Sequence, residues 1–174
     1  SMNLPGEYGV NDFPLIVQDR SFNRDGSFDY QTTMMGVAAG DTILINGTIS
    51  PVISIGRGLV RFRILNASNA QNFVFTMDDG RSFQQIASDG GFLEKPIARP
   101  RLFLAPGERA EVVVDFSSSQ KDTSYLMIGR QLALKINLTD DQPDHVSVPE
   151  TLAEIAALPV EGSPKTRVFE LQSM

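Results

Sequence analysis

Hydrophobic and polar residues alternate with a period of two along much of the chain. In the stretch LVRFRILNAS, Val60, Phe62 and Ile64 fall on one face, while Arg61 and Arg63 fall on the other. This period is typical of a β-strand that buries one face and exposes the other. The pattern therefore predicts a strand over this stretch, with its apolar face against a core.

The same alternation recurs at other positions. In RAEVVVDF, every second residue from Ala110 to Phe116 is apolar, and in NFVFTMD the residues Phe73, Phe75 and Met77 share a face. Shorter apolar runs predict further strands at residues 15–18, 42–45, 82–87, 102–104, 124–128 and 132–138. Many short strands at such spacing indicate a two-sheet β-sandwich or a barrel.

Turn residues separate the predicted strands. Asn46-Gly47 and Asp79-Gly80 supply the residues that tolerate a positive φ, as tight hairpins require. Pro106-Gly107 fits the centre of a type II turn, with proline at its second position and glycine at its third. The turns and the alternation together predict an all-β fold.

The pattern changes after about Asn137. The stretch TDDQPDHVSVP is polar and contains prolines, which predicts a linker. PETLAEIAALP then predicts a short helix over residues 149–158, and TRVFELQ a lone strand over residues 167–171. We divide the chain into an N-terminal scar and linker (1–7), a β-domain (8–139), a linker with a short helix (140–165), and the first strand of a truncated further domain (166–174).

Composition narrows the classes of function. The chain has 174 residues, a formal net charge of −6 and 41% hydrophobic residues, which fits one globular domain. An acidic chain lacks the clusters of Lys and Arg with which proteins bind nucleic acids, so nucleic acid is excluded as the main partner. No apolar run is long enough for a membrane span. Ser1-Met2 resembles a scar of tag removal.

Metal-binding and nucleophilic residues are scarce. The chain has no cysteine and one histidine, so it cannot alone build a blue-copper site of two histidines and one cysteine, and a Ser-His-acid triad is disfavoured. His145 has Asp140, Asp141 and Asp144 close in sequence, which leaves two interpretations. The group is either a weak divalent-cation site or part of a solvated linker, and we favour the linker.

Two charged residues suggest a structural ion pair. Asp89 precedes Gly90 in the turn SDGG, and Arg109 follows the turn at Pro106-Gly107. Each follows a strand end, so we expect a salt bridge that ties these two loops together.

Five stretches resemble the middle cupredoxin domain of bacterial three-domain multicopper oxidases, such as laccases, spore-coat laccases and copper-efflux oxidases. They come in the family's order and cover most of residues 8–138. These stretches are YGVNDFPLIVQDRSF (8–22), GDTILINGTISP (40–51), RFRILNASNAQNF (61–73), IASDGGFLEKP (86–96) and LAPGERAEVVVDFS (104–117).

The resemblance implies a cupredoxin-like Greek-key β-sandwich or barrel that binds no copper and has no catalytic residue. In the family, the flanking domains hold the copper, and the middle domain spaces them and contributes to the wall of the substrate cleft. Residues implied for that wall are Val37, Ala38, Ala39, Gly129, Arg130 and Gln131, with ordinary loops as the alternative.

The function implied for the intact protein is one-electron oxidation of phenols, aromatic amines or metal ions, coupled to reduction of dioxygen to water. An alternative is a copper-free periplasmic envelope or cell-division protein of the same architecture. Either implies an extracytoplasmic location and the flanking cupredoxin domains as partners. We also expect that the strand at residues 167–171 can pair two copies of this fragment.

Overall fold

Two packed β-sheets form the body of the protein. The computed structural model describes residues 3–30, 32–33, 36–141, 146–157, 159, 162 and 165–170. Its strands are β1 (Asp12–Arg20), β2 (Thr32–Thr33), β3 (Gly36–Val37), β4 (Thr42–Ile45), β5 (Thr48–Ile49), β6 (Val52–Gly56), β7 (Leu59–Asn66), β8 (Phe73–Met77), β9 (Phe83–Ser88), β10 (Gly91–Arg99), β11 (Leu102–Leu104), β12 (Arg109–Asp115), β13 (Thr123–Ile128) and β14 (Gln131–Thr139). The predicted all-β fold is confirmed.

The chain crosses repeatedly between the sheets. The seven-stranded sheet has the order β10-β9-β12-β7-β1-β4-β5, and the five-stranded sheet has the order β11-β8-β13-β14-β6. β1 pairs with β7 in parallel, as does β14 with β6, and the other pairings are antiparallel. Strands that are distant in sequence therefore lie side by side in each sheet.

The core lies between the inner faces of the two sheets. Its largest fully buried side chains are phenylalanines, namely Phe62, Phe73, Phe75, Phe83 and Phe116. The alternation predicted for β7, β8 and β12 is confirmed, since the inward members of each strand belong to this cluster. Burial of these inward faces is the main favourable contribution to folding.

One buried amide joins the two sheets. Asn66, at the end of β7, donates from Nδ2 to the carbonyls of Gln71 (2.8 Å) and Leu104 (2.9 Å), and its Oδ1 accepts from the N–H of Ser68 (2.9 Å). Its backbone C=O accepts from the N–H of Gly107 at 2.8 Å. The fully buried side chain is thereby satisfied, and it fixes the loops that lead into β8 and β12.

The predicted turns form as expected at two places. Asn46 and Gly47 both have a positive φ (52° and 79°), which is the geometry of a tight hairpin, and they join β4 to β5. The Asn46 side chain also accepts from the N–H of Ile16 and donates to the C=O of Pro14, which extends the pairing of β1. Gly107 has a φ of 84°, as the third position of a type II turn requires.

The expected helix does not form. Residues 151–157 have no regular structure, and Leu158 lies outside the described residues. Leu152 donates its N–H to the C=O of Glu94 in β10 (2.8 Å) and is 7% exposed. A helix this short is marginal on its own, so the sheet contacts outweigh its helical propensity. Tertiary packing therefore overrides the apolar stripe that predicted the helix.

Residues 146–157, here called the strap, instead cover the outer face of the seven-stranded sheet. Leu152 and Val148 pack with Ile86 and Val113 in a second apolar cluster, to which Leu4 also contributes. The N–H of Ser147 donates to the C=O of Asn3 at 3.3 Å, so the two ends of the described domain meet there. The expected linker is therefore partly a structural element of the domain.

The expected strand at residues 167–171 is also absent from the described part of the chain. Residues 165–170 have no regular structure, Val168 and Phe169 are more than 80% exposed, and residue 171 is not described. No described strand pairs with this segment. Its assignment to a further domain, and a dimer through it, remain predictions. Among the described residues, no helix has the length and apolarity needed to cross a membrane.

We predict that Leu152→Ala lowers the free energy of unfolding by about 2 kcal/mol, because it removes the central apolar contact of the strap. Chemical denaturation of the 174-residue chain measures this loss. Ile155→Ala is the matched control, since Ile155 is 60% exposed and its loss should cost no more than about 0.5 kcal/mol. Equal losses from both variants would contradict the docking of the strap.

Candidate functional site

The two segments implied for the cleft wall both attach to the start of β8. Ala38 and Ala39 precede Gly40, whose C=O accepts from Nε2 of Gln71 at 3.1 Å. In the other segment, the N–H of Gly129 donates to the C=O of Val74 at 3.0 Å. The structure therefore brings both segments to residues 71–74, at the same end of the sandwich.

The two segments have different local structures. Val37 ends β3, and Ala38 and Ala39 line a shallow cavity of about 350 Å³ that also contains Asp19 and Asp41. Gly129 has a φ of 58° and begins the turn between β13 and β14, in which Arg130 is exposed. Gln131 begins β14 and is exposed as well.

A close approach between Gly40 and β1 fixes the first segment. The N–H of Gly40 donates to Oδ2 of Asp19 at 2.6 Å, and a Cβ on Gly40 would lie 2.4 Å from the backbone nitrogen of Arg20. Only glycine therefore fits at this position without a shift of the backbone. Asp19 Oδ1 is buried and has no hydrogen-bond partner among the described residues.

Asp89, in the turn between β9 and β10, contacts Arg109, which begins β12. Nε of Arg109 lies 3.3 Å from Oδ1 of Asp89, and the same Oδ1 accepts the backbone N–H of Arg109 at 2.9 Å. Nη2 of Arg109 donates to the Asp89 C=O at 3.1 Å. Both side chains are about half exposed, so the backbone hydrogen bond contributes more than the solvent-screened ion pair. Gly90 follows in the same turn, and its Cβ position is open.

A double-mutant cycle of Asp89→Ala and Arg109→Ala tests this loop contact. We expect a coupling of about 0.5 kcal/mol, because the ion pair is exposed. Asp89→Ala should cost the larger share, since it also removes an acceptor for a backbone N–H, while Arg109→Ala leaves that bond in place. Thermal or chemical unfolding of the four variants gives the coupling, and fully additive losses would contradict it.

The acidic group near His145 is only partly described. Asp140 pairs with Nη1 of Arg57 at 2.5 Å, and Asp141 accepts from Oγ1 of Thr139 at 3.3 Å. Asp144 and His145 lie outside the described residues. Within the described part of the chain, no three histidine, cysteine or carboxylate side chains are grouped as a metal site requires.

A groove that the sequence does not predict runs beneath the strap. It has a cavity volume of about 860 Å³ and lies between the strap and the sheet residues Leu59, Gln84, Lys95 and Asp115. Arg57 also lines it, but its guanidinium already contacts Asp122 and Asp140. No sequence pattern predicts this groove, because the residues that cover it are predicted to form a linker and a short helix and not a segment docked on the sheet.

Among the described residues, Asp25 and Asp79 have shifted pKa values, and both lie in turns. The side chain of Arg81 donates to Asp79 and holds the pKa of that carboxyl below its usual range. Hydrogen bonds from Ser27 lower the pKa of Asp25 in the same way. Arg81 also lies over the ring of Phe116, 4.6 Å from its centre, so the turn at Asp79 is pinned to the core. These shifts have structural causes and mark no acid–base pair.

Comparison with known proteins identifies this architecture. Residues 7–148 match the family model described as multicopper oxidase. The chain belongs to the multicopper oxidase family.

Solved structures agree with this assignment. The chain is similar to a laccase from Pediococcus acidilactici, with 36% identity and a TM-score of 0.84, over 92% of this chain and 35% of that one. It is also similar to the McoA multicopper oxidase of Aquifex aeolicus, with 31% identity and a TM-score of 0.83, over 90% of this chain and 38% of that one. The cupredoxin-like fold implied by the sequence is confirmed.

Curated relatives carry a different name. The chain is 48% identical over 121 residues to the cell division protein FtsP of Yersinia pestis, and 44% identical over 121 residues to that of Escherichia coli. These matches cover 70% of this chain and 26% of each relative. The chain thus spans about a quarter of the length of the curated relatives it matches.

Proposed function

We propose that this chain is the structural middle domain of a longer multicopper oxidase family protein, and that the domain itself binds no copper and performs no catalysis. The observation that carries this proposal is the composition of the matched region. A chain without cysteine and with one histidine lacks the ligands of a blue-copper centre, although it matches the family over residues 7–148. Its role is to hold and space the flanking domains.

The first candidate function of the intact protein is copper-dependent oxidation of phenolic, aromatic-amine or metal-ion donors, coupled to four-electron reduction of dioxygen to water. Similarity to a laccase and to McoA over at least 90% of this chain supports it. Copper would then be bound in the flanking domains. Such a protein would act outside the cytoplasm.

The second candidate is a copper-free envelope or cell-division protein of the same architecture. One observation favours it: identity to the FtsP proteins reaches 48%, whereas identity to the laccase is 36%. The FtsP matches are over a shorter stretch, 70% of this chain against 92%, so the two values do not compare the same residues. The residues that decide between the candidates are the copper ligands, which lie outside this chain.

A copper titration tests whether the domain binds copper by itself, without the rest of the longer protein. We expect calorimetry to show no tight one-to-one copper binding by the 174-residue chain. Tight one-to-one copper binding by this chain would contradict the proposal that the domain is only structural.

The full-length protein, expressed with copper, decides between the two candidates. A blue thiolate-to-copper absorption band with oxidase activity supports the oxidase. A colourless and copper-free product without oxidase activity supports the second candidate.

We further propose that the segments containing Ala38 and Gly129 form part of the cleft wall if the parent is an oxidase. Their common attachment to residues 71–74 supports this, because it keeps them at one end of the domain. Arg130 is exposed in the turn and would offer a cation to the donor molecule.

Arg130→Ala in the full-length enzyme tests the cleft wall. We expect a change in the ranking of kcat/KM among neutral, anionic and cationic donors, with the largest loss for anionic ones. Lys121→Ala, a second exposed cation on another loop, is the matched control. An unchanged donor ranking in Arg130→Ala would remove the wall assignment.

A further inference from the structure

Asn46 and Gly47 form a chemically labile pair in the turn between β4 and β5. An asparagine followed by glycine is prone to deamidation, because glycine has no side chain to hinder the approach of its nitrogen to the asparagine amide. Asn46 is the one asparagine in the sequence that glycine follows. Both residues are exposed, so water and hydroxide reach them. The turn therefore carries the groups needed for a spontaneous covalent modification.

The modification consumes water and releases ammonia. The main-chain nitrogen of Gly47 loses its proton to hydroxide and attacks Cγ of Asn46. The bond from Cγ to Nδ2 then breaks, Nδ2 takes up a proton from water and leaves as ammonia, and a cyclic imide remains. Water opens the imide at either carbonyl, which gives an aspartate or an isoaspartate at position 46. In the isoaspartate, the main chain runs through the former side-chain carbons.

Three hydrogen bonds to β1 hold Asn46 in an arrangement that opposes this attack. Its main-chain N–H donates to the C=O of Ile16 at 2.9 Å, and its Oδ1 accepts the N–H of Ile16 at 2.8 Å. Its Nδ2 donates to the C=O of Pro14 at 2.9 Å. Both ends of the side-chain amide are thus bound to β1. Ring closure requires the amide to leave β1 and to turn its Cγ toward the nitrogen of Gly47.

We propose that Asn46-Gly47 is a deamidation site that the fold protects, and that the reaction proceeds from states in which this turn has separated from β1. The pairing of β1 with β4 reaches Val17 and Ile45, next to the turn. Beyond the turn, β5 has two residues and is the edge strand of its sheet. Few contacts must break for this corner of the sheet to open. The site lies in the domain itself, so it is independent of the function of the longer protein.

Neither product can restore the contacts of Asn46. An aspartate at this position has no N–H to donate, so a carboxylate oxygen would face the C=O of Pro14 and two acceptors would repel each other. An isoaspartate lengthens the main chain by one carbon, within a turn that requires two consecutive residues of positive φ. Deamidation therefore converts a reversible opening of this corner into a lasting one.

Peptide mapping by mass spectrometry measures the reaction in the 174-residue chain at mildly alkaline pH, with and without denaturing guanidinium chloride. We expect deamidation at position 46 to be about tenfold slower in the folded chain, because both side-chain hydrogen bonds must break first. Gly47→Asn is the matched control. Asparagine also adopts a positive φ, but its side chain hinders the attack, so the reaction at position 46 should become several-fold slower in denaturant. Equal rates in the folded and the denatured chain would overturn the protection, and an unreactive Asn46 in denaturant would overturn the site.

The variant Asn46→Asp reproduces one product and tests its consequence. We expect amide hydrogen exchange over residues 42–49 to become several-fold faster, because the donor to Pro14 is lost and the turn opens more often. Asn23→Asp is the matched control, since the Asn23 side chain contacts Ser27 and Phe28 of its own turn and should leave this exchange unchanged. Unchanged exchange in Asn46→Asp, or an equal increase in Asn23→Asp, would contradict the lasting opening of the corner.

Discussion

The structure depends on the buried amide of Asn66. Its side chain bonds to Ser68 and Gln71 in the loop after β7 and to the carbonyl of Leu104 at the end of β11, and its backbone carbonyl accepts from Gly107 in the turn before β12. Each buried donor or acceptor left without a partner would lower the free energy of unfolding by about 1–3 kcal/mol. The arrangement that satisfies all of them is therefore strongly favoured. Through them the ends of β7 and β11, which belong to different sheets, are fixed relative to one another. The hydrogen bonds of Asn66 therefore also fix the end of the sandwich at which Gln71 and Gly129 lie.

The outer faces of the two sheets differ in how far their apolar side chains are buried. Chain segments from before β1 and after β14 seal one face with a second apolar cluster. On the outer face of the other sheet, Phe103, Leu132 and Val52 stay more than half exposed. The two outer faces therefore contribute unequally to the stability of the domain. The absence of copper ligands in the sequence is consistent with a part whose role is mechanical and steric.

Local patterning predicted most of the sandwich. Strands β7, β8, β11 and β12 lie where the alternation or the apolar run places them, and the turns at Asn46-Gly47 and Pro106-Gly107 have the expected backbone. β10 was missed because Pro96 interrupts it. Proline is tolerated at position 96 because β10 is the edge strand of its sheet and its register shifts between Phe92 and Ile97. That shift also lies around Glu94, whose carbonyl accepts the N–H of Leu152.

The strap and the site show the limit of sequence patterns. An apolar stripe at Leu152 reads equally well as a helix face or as an anchor, and only the position of Ile86 and Val113 in space decides between them. The loop pair at Asp89 and Arg109 could be predicted because each residue follows a strand end. The joint attachment of the Gly40 and Gly129 segments could not, since it depends on which strands become neighbours.

The hydrogen bond between Ser147 and Asn3 has a mechanical consequence. Because residues 3 and 147 are joined by a hydrogen bond, a tension applied between them acts first on this contact and not on the sheets. It is borne first by that single bond and by the contacts of Leu4 and Val148 in the second cluster. A pull that arrives from the C-terminal side of the strap acts first on Leu152, whose N–H is bonded to the carbonyl of Glu94 in β10, so the strap shields the contact at Asn3 from that side.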